Sequence, residues 1–78
     1  MDENFISTPI LKALISADAV SELIIKPNHG GYNMIASVKD GKKILSSQRS
    51  EIRLFKKSDS AIKYSKKIGW KGTIVVEQ

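Results

Sequence analysis

The sequence predicts one small α+β domain, in which a mostly antiparallel sheet of four or five strands is accompanied by two helices. Two segments carry apolar residues at helical spacing, and alternating or β-branched runs lie between and after them. Turn sequences separate the runs, at Asn28-His29-Gly30-Gly31 and at Asp40-Gly41. The expected order is α-β-β-β-(β)-α-β, with both helices on one sheet face and the other face partly exposed or used in a dimer.

The first helix is predicted to begin at Thr8-Pro9, because a threonine can cap a helix and a proline suits its first position. It should end at about Ala17 or Asp18. Four apolar residues recur at helical spacing along it: Ile10, Leu11, Leu14 and Ile15. Residues 1–6 are expected to fray, although Phe5 and Ile6 could pack in front of the helix.

Residues 19–26 favour a strand that Pro27 ends, because they are rich in β-branched and other apolar residues. The alternative is that the first helix continues through Glu22, since nothing in between breaks it strongly. Residues 32–39 alternate, and one face of that strand should carry Tyr32, Met34, Ala36 and Val38.

Asp40-Gly41 predicts a two-residue hairpin of type I′, which leads into a strand from residue 42 to about 47. This register sets Lys39 opposite Lys42, where the like charges repel mildly and a bound anion would relieve the repulsion. Residues 46–50 are polar and form either a bulged strand or a loop. Residues 51–55 then alternate again and suggest the optional strand.

A second helix is predicted from a cap at Ser58 or Asp59 to the terminating Gly69. One arc of this helix is apolar or small and should face the core, with Ala61, Tyr64, Ser65 and Ile68. The opposite arc carries Lys63, Lys66 and Lys67. The β-branched residues 73–76 then predict a last strand, which closes a parallel crossover if residues 54–55 end a strand of the same sheet.

Several classes of protein are disfavoured. The chain has no cysteine, which excludes disulfides and thiolate metal sites. Its apolar runs are far shorter than the roughly 20 residues that span a bilayer, and its acidic N-terminus does not resemble a signal peptide. His29 is the only histidine and lies in a predicted turn without companion ligands or a nucleophile. We therefore expect a cytoplasmic protein that is not an enzyme, with no cofactor, no metal and no membrane contact.

The net charge of +5 is distributed unevenly, since the segment from Lys39 to Lys71 holds eleven Lys or Arg and three acidic residues. Such a basic segment attracts polyanions, although lysines can also serve only solubility. Trp70 either closes the core over the helix end or offers an exposed ring for stacking on a base. The candidate nucleic-acid-binding residues are Lys39, Lys42, Lys43, Arg49, Arg53, Lys56, Lys57, Lys63, Lys66, Lys67, Trp70 and Lys71.

The run Phe55-Lys56-Lys57-Ser58-Asp59-Ser60-Ala61, followed by Gly69 and an apolar strand, resembles short strand-helix-strand proteins of plasmids and integrative elements. The hairpin-then-helix order also resembles the arm-site domains of some integrases, which read DNA with a three-stranded sheet backed by a helix. The resemblance covers residues 32–77 at most. It implies a similar fold and an origin in a mobile element, and it assigns no functional residues.

Together these observations predict a small, basic, non-enzymatic accessory protein that binds nucleic acid through phosphate contacts. The alternative is a protein-interaction module that uses the exposed sheet face, such as a small inhibitor or adaptor. Such a module could also form a homodimer.

Overall fold

The computed structural model describes residues 4–47 and 52–77. Within these residues, five strands and two helices form one α+β unit with a radius of gyration of 11.3 Å. In chain order they are β1 (Phe5–Ile6), α1 (Thr8–Ser16), β2 (Val20–Asn28), β3 (Gly31–Val38), β4 (Gly41–Leu45), α2 (Ser58–Lys67) and β5 (Ile74–Val76). The α+β class and the two helices are as predicted from the sequence.

The five strands form one mixed sheet in the order β1-β4-β3-β2-β5. The three long central strands pair antiparallel, whereas the short edge strands β1 and β5 pair parallel with β4 and β2. A mostly antiparallel sheet was expected, but only the three central strands pair in this way and the sheet as a whole is mixed. Each edge strand is joined to the rest of the chain across a helix, and a connection of that length allows an edge strand to run parallel to its neighbour.

Both helices lie on the same face of the sheet, as predicted. One buried cluster joins Leu11 of α1 and Ala61 of α2 to the inward residues of the strands. A hydrogen bond of 2.7 Å between the Thr8 and Tyr64 hydroxyls links the two helices directly. The predicted inner face of α2 is confirmed, since Ala61 and Ser65 are completely buried and Tyr64 packs against the cluster.

The N-terminal segment differs from the prediction. Phe5 and Ile6 form strand β1 beside β4, and Ile6 is buried in the core. The residue at the helix cap is Ser7, with Thr8 already helical, and Ser7 makes no side-chain capping bond. The Thr8 hydroxyl is bonded to Tyr64 instead, so a tertiary contact has replaced the expected local cap.

Strand β2 begins at Val20, shortly after α1, and continues beyond Pro27. Asp18 adopts a positive φ of 58°, which ends α1, so the helix does not extend to Glu22. Pro27 pairs with Tyr32 on one side only, because β5 ends opposite Ile25. A proline is tolerated there, since the missing N–H faces an unpaired edge.

The hairpin between β3 and β4 is shifted from its predicted register. Val38 pairs with Gly41, so the two turn residues are Lys39 and Asp40, and Lys42 lies opposite Ser37. Neither turn residue has a positive φ, which excludes the type I′ turn. The shift is two residues along the partner strand, so every β3 side chain keeps its predicted face. The turn at His29-Gly30 does have positive φ at both positions, 48° and 79°.

Residues 52–55 do not form the optional strand. Ser46 bridges to Ile52 and Tyr32 bridges to Phe55, so this segment lies between the diverging ends of β3 and β4. The Tyr32–Phe55 bridge is antiparallel, so the chain enters α2 in the same direction as β2 and β5. The predicted parallel crossover required a strand at residues 54–55, where the structure has a single bridge. Residues 46–50, predicted as either a bulged strand or a loop, lie mostly outside the described residues.

The boundaries of α2 are close to those predicted. Gly69 follows the helix with a φ of 100°, as expected of a terminating glycine. The N-terminal cap position belongs to Lys57, without a side-chain capping bond, so neither Ser58 nor Asp59 caps the helix. Trp70 then turns the chain towards β5.

Candidate nucleic-acid interface

Helix α2 carries its lysines on the surface that faces away from the sheet. Lys63, Lys66 and Lys67 are all exposed, whereas the opposite side of the helix is buried. Within α2 the one acidic residue is Asp59, in the first turn. The predicted three-lysine arc therefore exists as an outward surface.

Further exposed cations flank the helix in the chain. Lys56 and Lys57 are exposed immediately before α2, and Lys71 is exposed shortly after it. A helix of 10 residues is about 15 Å long, which corresponds to the axial rise of roughly four base pairs. We define the α2 surface as Lys56, Lys57, Lys63, Lys66, Lys67 and Lys71.

Arg53 is held beside this surface by two aromatic rings. Its guanidinium carbon lies 4.7 Å from the centroid of the Tyr64 ring and 5.2 Å from that of Phe55. The two rings lie 5.4 Å apart, tilted by 51°. Such stacking restrains the guanidinium plane while leaving its N–H groups able to donate to an anion.

Between the start of α1 and this arginine lies a groove of about 790 Å³. Its two cationic side chains are Arg53 and Lys12, and hydroxyl groups of Thr8 and Tyr64 also line it. The remaining lining residues are Ser7, Pro9, Ser46 and Ser47. A cavity that combines a guanidinium, an ammonium and several hydroxyls has the chemistry of a phosphate site.

Sequence reasoning missed Lys12 as a member of this site. In the chain it lies in an acidic and neutral N-terminal region, far from the basic segment. The one sequence signal for Lys12 was its position on the polar side of α1, which predicts that its side chain is exposed. The packing of α1 against α2 was needed to place it opposite Arg53.

The lysines of the β3–β4 hairpin are divided between the two faces of the sheet and the turn. Lys42 projects from the sheet face without helices, because its partner Ser37 does so, whereas Lys43 lies on the helix side opposite Ala36. Lys39 lies at the turn, beside the depression formed by Asp18, Val20 and Ser21. Arg49 is outside the described residues. The structure thus does not gather all twelve predicted residues on one surface.

Trp70 is not available for stacking. Its side chain is only 8% exposed, and the indole N–H donates to the backbone oxygen of Thr73 at 3.1 Å. The ring packs over the end of α2 as part of the core cluster. Of its two interpretations, the structural one is correct.

The described residues hold no group of side chains arranged as a metal site. His29 is exposed in its turn, and no three His, Asp or Glu side chains in the described part of the chain lie close enough to hold a metal ion. Neither described helix has the length and apolar character required to traverse a bilayer. Comparison with protein-family models, with curated proteins and with solved structures finds no match.

Proposed function

We propose that this protein is a non-enzymatic accessory protein that binds nucleic acid through its phosphate backbone. The contacts are made on the helix side, by the α2 surface together with Arg53 and Lys12. The observation that carries the proposal is the exposure of six lysines along and around one helix whose only acidic residue is Asp59.

The distribution of charge between the two faces of the molecule supports this choice of surface. The sheet face without helices carries Glu22 and Glu77 as well as Lys26 and Lys42, which balance among the described residues. The α2 surface carries a clear excess of positive charge. A polyanion is therefore attracted to the helix side, where each phosphate contact releases condensed counterions.

The groove beside α2 favours specific hydrogen bonds to one phosphate, in addition to general attraction by a positive surface. A guanidinium restrained by Tyr64 and Phe55 can donate two parallel hydrogen bonds to one phosphate. Lys12 lies across the same groove and can neutralise the same group. The α2 lysines would then bind neighbouring phosphates of the strand.

The experiment is a titration of labelled single- and double-stranded DNA and RNA across a salt series. On duplex DNA we expect log K to fall linearly with log salt, with a slope of about −0.9 per phosphate contact. The variant Lys63→Glu/Lys67→Glu should reduce this slope by about two contacts and weaken binding to all sequences similarly.

The matched control is Lys39→Glu/Lys42→Glu, which changes the net charge equally but lies off the α2 surface. It should keep most of the affinity. An equal loss in both variants would mean that net charge alone matters, and no binding to any of the four nucleic acids at low salt would refute the proposal.

A second candidate function is a protein-interaction module, such as a small inhibitor or adaptor. One observation favours it: the sheet face opposite the helices carries a row of apolar side chains. The two roles use opposite faces of the molecule, so substitutions in this row should leave nucleic-acid binding unchanged.

A further inference from the structure

One residue from each strand contributes to an apolar row that crosses the sheet on the face without helices. The strand register aligns them directly: Phe5 with Ile44, Ile44 with Ile35, Ile35 with Ile24, and Ile24 with Val75. Their sequence neighbours Ile6, Leu45, Met34, Ala36, Leu23 and Ile25 point the other way, into the core cluster. We call these five residues the open-face row.

The open-face row lies outside the buried core. Val75 is 37% exposed, and Phe5, Ile35 and Ile44 are partly exposed. Ile24 is only 4% exposed yet does not belong to the core cluster, because its neighbours in the row enclose it. Leu54 extends the apolar area, since it is 46% exposed and lies against Gly31 on this same face.

Two of the four described charges on this face lie at equal distances from the row, one on each side of it. On the central strand β2, Glu22 and Lys26 each lie two residues from Ile24, on opposite sides of the row. A two-fold axis along the row would place a second copy with its β2 antiparallel to the first. Glu22 of each copy would then face Lys26 of the other.

The same operation brings together two polar groups that lack partners in the single chain. Ser37 Oγ and Asn33 Oδ1 are buried without a hydrogen-bond partner among the described residues, and they flank Ile35 on this face. The two-fold axis places Ser37 of one copy over Asn33 of the other. A hydroxyl donates and an amide oxygen accepts, so the two groups can pair once both side chains rotate out of the positions in which their own chain buries them.

We propose that the open-face row is the interface of a homodimer, formed by stacking the sheets of two copies face to face. The balanced charge of this face permits two copies to approach, whereas two α2 surfaces would repel each other. Stacked sheets of this kind pack about 10 Å apart with their strands nearly aligned. The occupant is a second copy because Glu22 and Lys26, the charges on the central strand, complement those of a second copy.

The size of the face predicts a weak dimer. Five strands spaced about 4.8 Å apart and a central strand of nine residues describe a contact of roughly 500 Å² per copy. Stable interfaces bury about 800 Å² per partner, so this contact lies at the lower limit. We expect a dissociation constant in the micromolar range, with monomer and dimer exchanging rapidly.

The test is sedimentation velocity on the full chain, from about 5 to about 500 μM, a range that spans weak interfaces. The wild-type protein should shift from monomer to dimer. Glu22→Lys should weaken the dimer about tenfold, because two attractive pairs become two repulsive ones. Glu22→Lys/Lys26→Glu should restore it to within about threefold of wild type, since the pairs are exchanged and not lost.

Two further variants separate the interface from general effects. Val75→Lys, in the row itself, should abolish dimerisation, and Lys63→Glu on α2 should leave it unchanged. If Val75→Lys fails to fold, the Glu22→Lys and Glu22→Lys/Lys26→Glu variants still test the interface. A strictly monomeric wild type, which would leave the face to another partner, or an exchange that does not restore the dimer, would overturn the proposal.

Discussion

At two glycines an added methyl group would meet another part of the chain. A Cβ on Gly31 would lie 2.8 Å from the backbone oxygen of Phe55, which accepts the Tyr32 N–H. A Cβ on Gly72 would lie 2.7 Å from the Trp70 ring. Neither glycine has a positive φ, so close packing alone explains why a larger residue does not fit at these positions.

We predict that Gly31→Ala and Gly72→Ala each lower the free energy of unfolding by about 1–3 kcal/mol, the usual cost of overpacking. Only Gly72→Ala should change the emission of Trp70, the single tryptophan, because it displaces that ring towards solvent. Urea unfolding and tryptophan fluorescence measure the two effects, and each variant serves as the control of the other. An unchanged emission spectrum in Gly72→Ala would contradict the packing described.

At the scale of one element, α2 begins in an unfavourable way. Lys57 occupies the cap position without a capping bond, and Lys56 precedes it. Lysine cannot accept a bond from the free amides of the first turn, and its charge opposes the positive end of the helix dipole. A bound phosphate would relieve both costs. Local rules are often broken in this way where a residue serves a function.

We predict that Lys57→Asn stabilises the protein by about 1 kcal/mol, because asparagine caps the helix. The same change should weaken nucleic-acid binding and lower the salt slope by about one contact. The control is Lys63→Ser in the middle of α2, which should weaken binding without any gain in stability. Thermal unfolding and the salt titration measure the two quantities. If Lys57→Asn is more stable and binds equally well, Lys57 is not a contact.

At the scale of the whole molecule, one small core holds both helices to the sheet. Helix α1 has nine residues, too few to be stable alone, and its one fully buried residue is Leu11. The adjacent Ile10 is 53% exposed. In a domain of 78 residues, net stability is small, so loss of one such anchor is a large fraction of it.

We predict that Leu11→Ala lowers the free energy of unfolding by about 2–5 kcal/mol, whereas Ile10→Ala changes it by less than about 0.5 kcal/mol. Denaturant unfolding followed by circular dichroism compares the two. Similar losses in both variants would show that α1 is not held through Leu11.

Local patterns explain which features were predictable. The alternation in β3 and the helical spacing in α2 depend on a side chain's position in its own element, so their faces were assigned correctly. The β3–β4 register was missed because Gly41 could equally lie inside the turn or at the first strand position. Strand β1 was missed because two residues carry no periodicity, and they pair with a strand almost forty residues away.

The sequence by itself determined the α+β class, the two helices, the inner and outer faces of α2 and the excess of basic residues. The tertiary structure alone decided that Lys12 and Arg53 line one groove, that Trp70 is buried, and that Lys42 lies on the sheet face away from α2. It also aligned five apolar side chains in one row. The physical reason is that periodicity sets the direction of a side chain within its element, whereas strand pairing and helix packing set which distant side chains become neighbours.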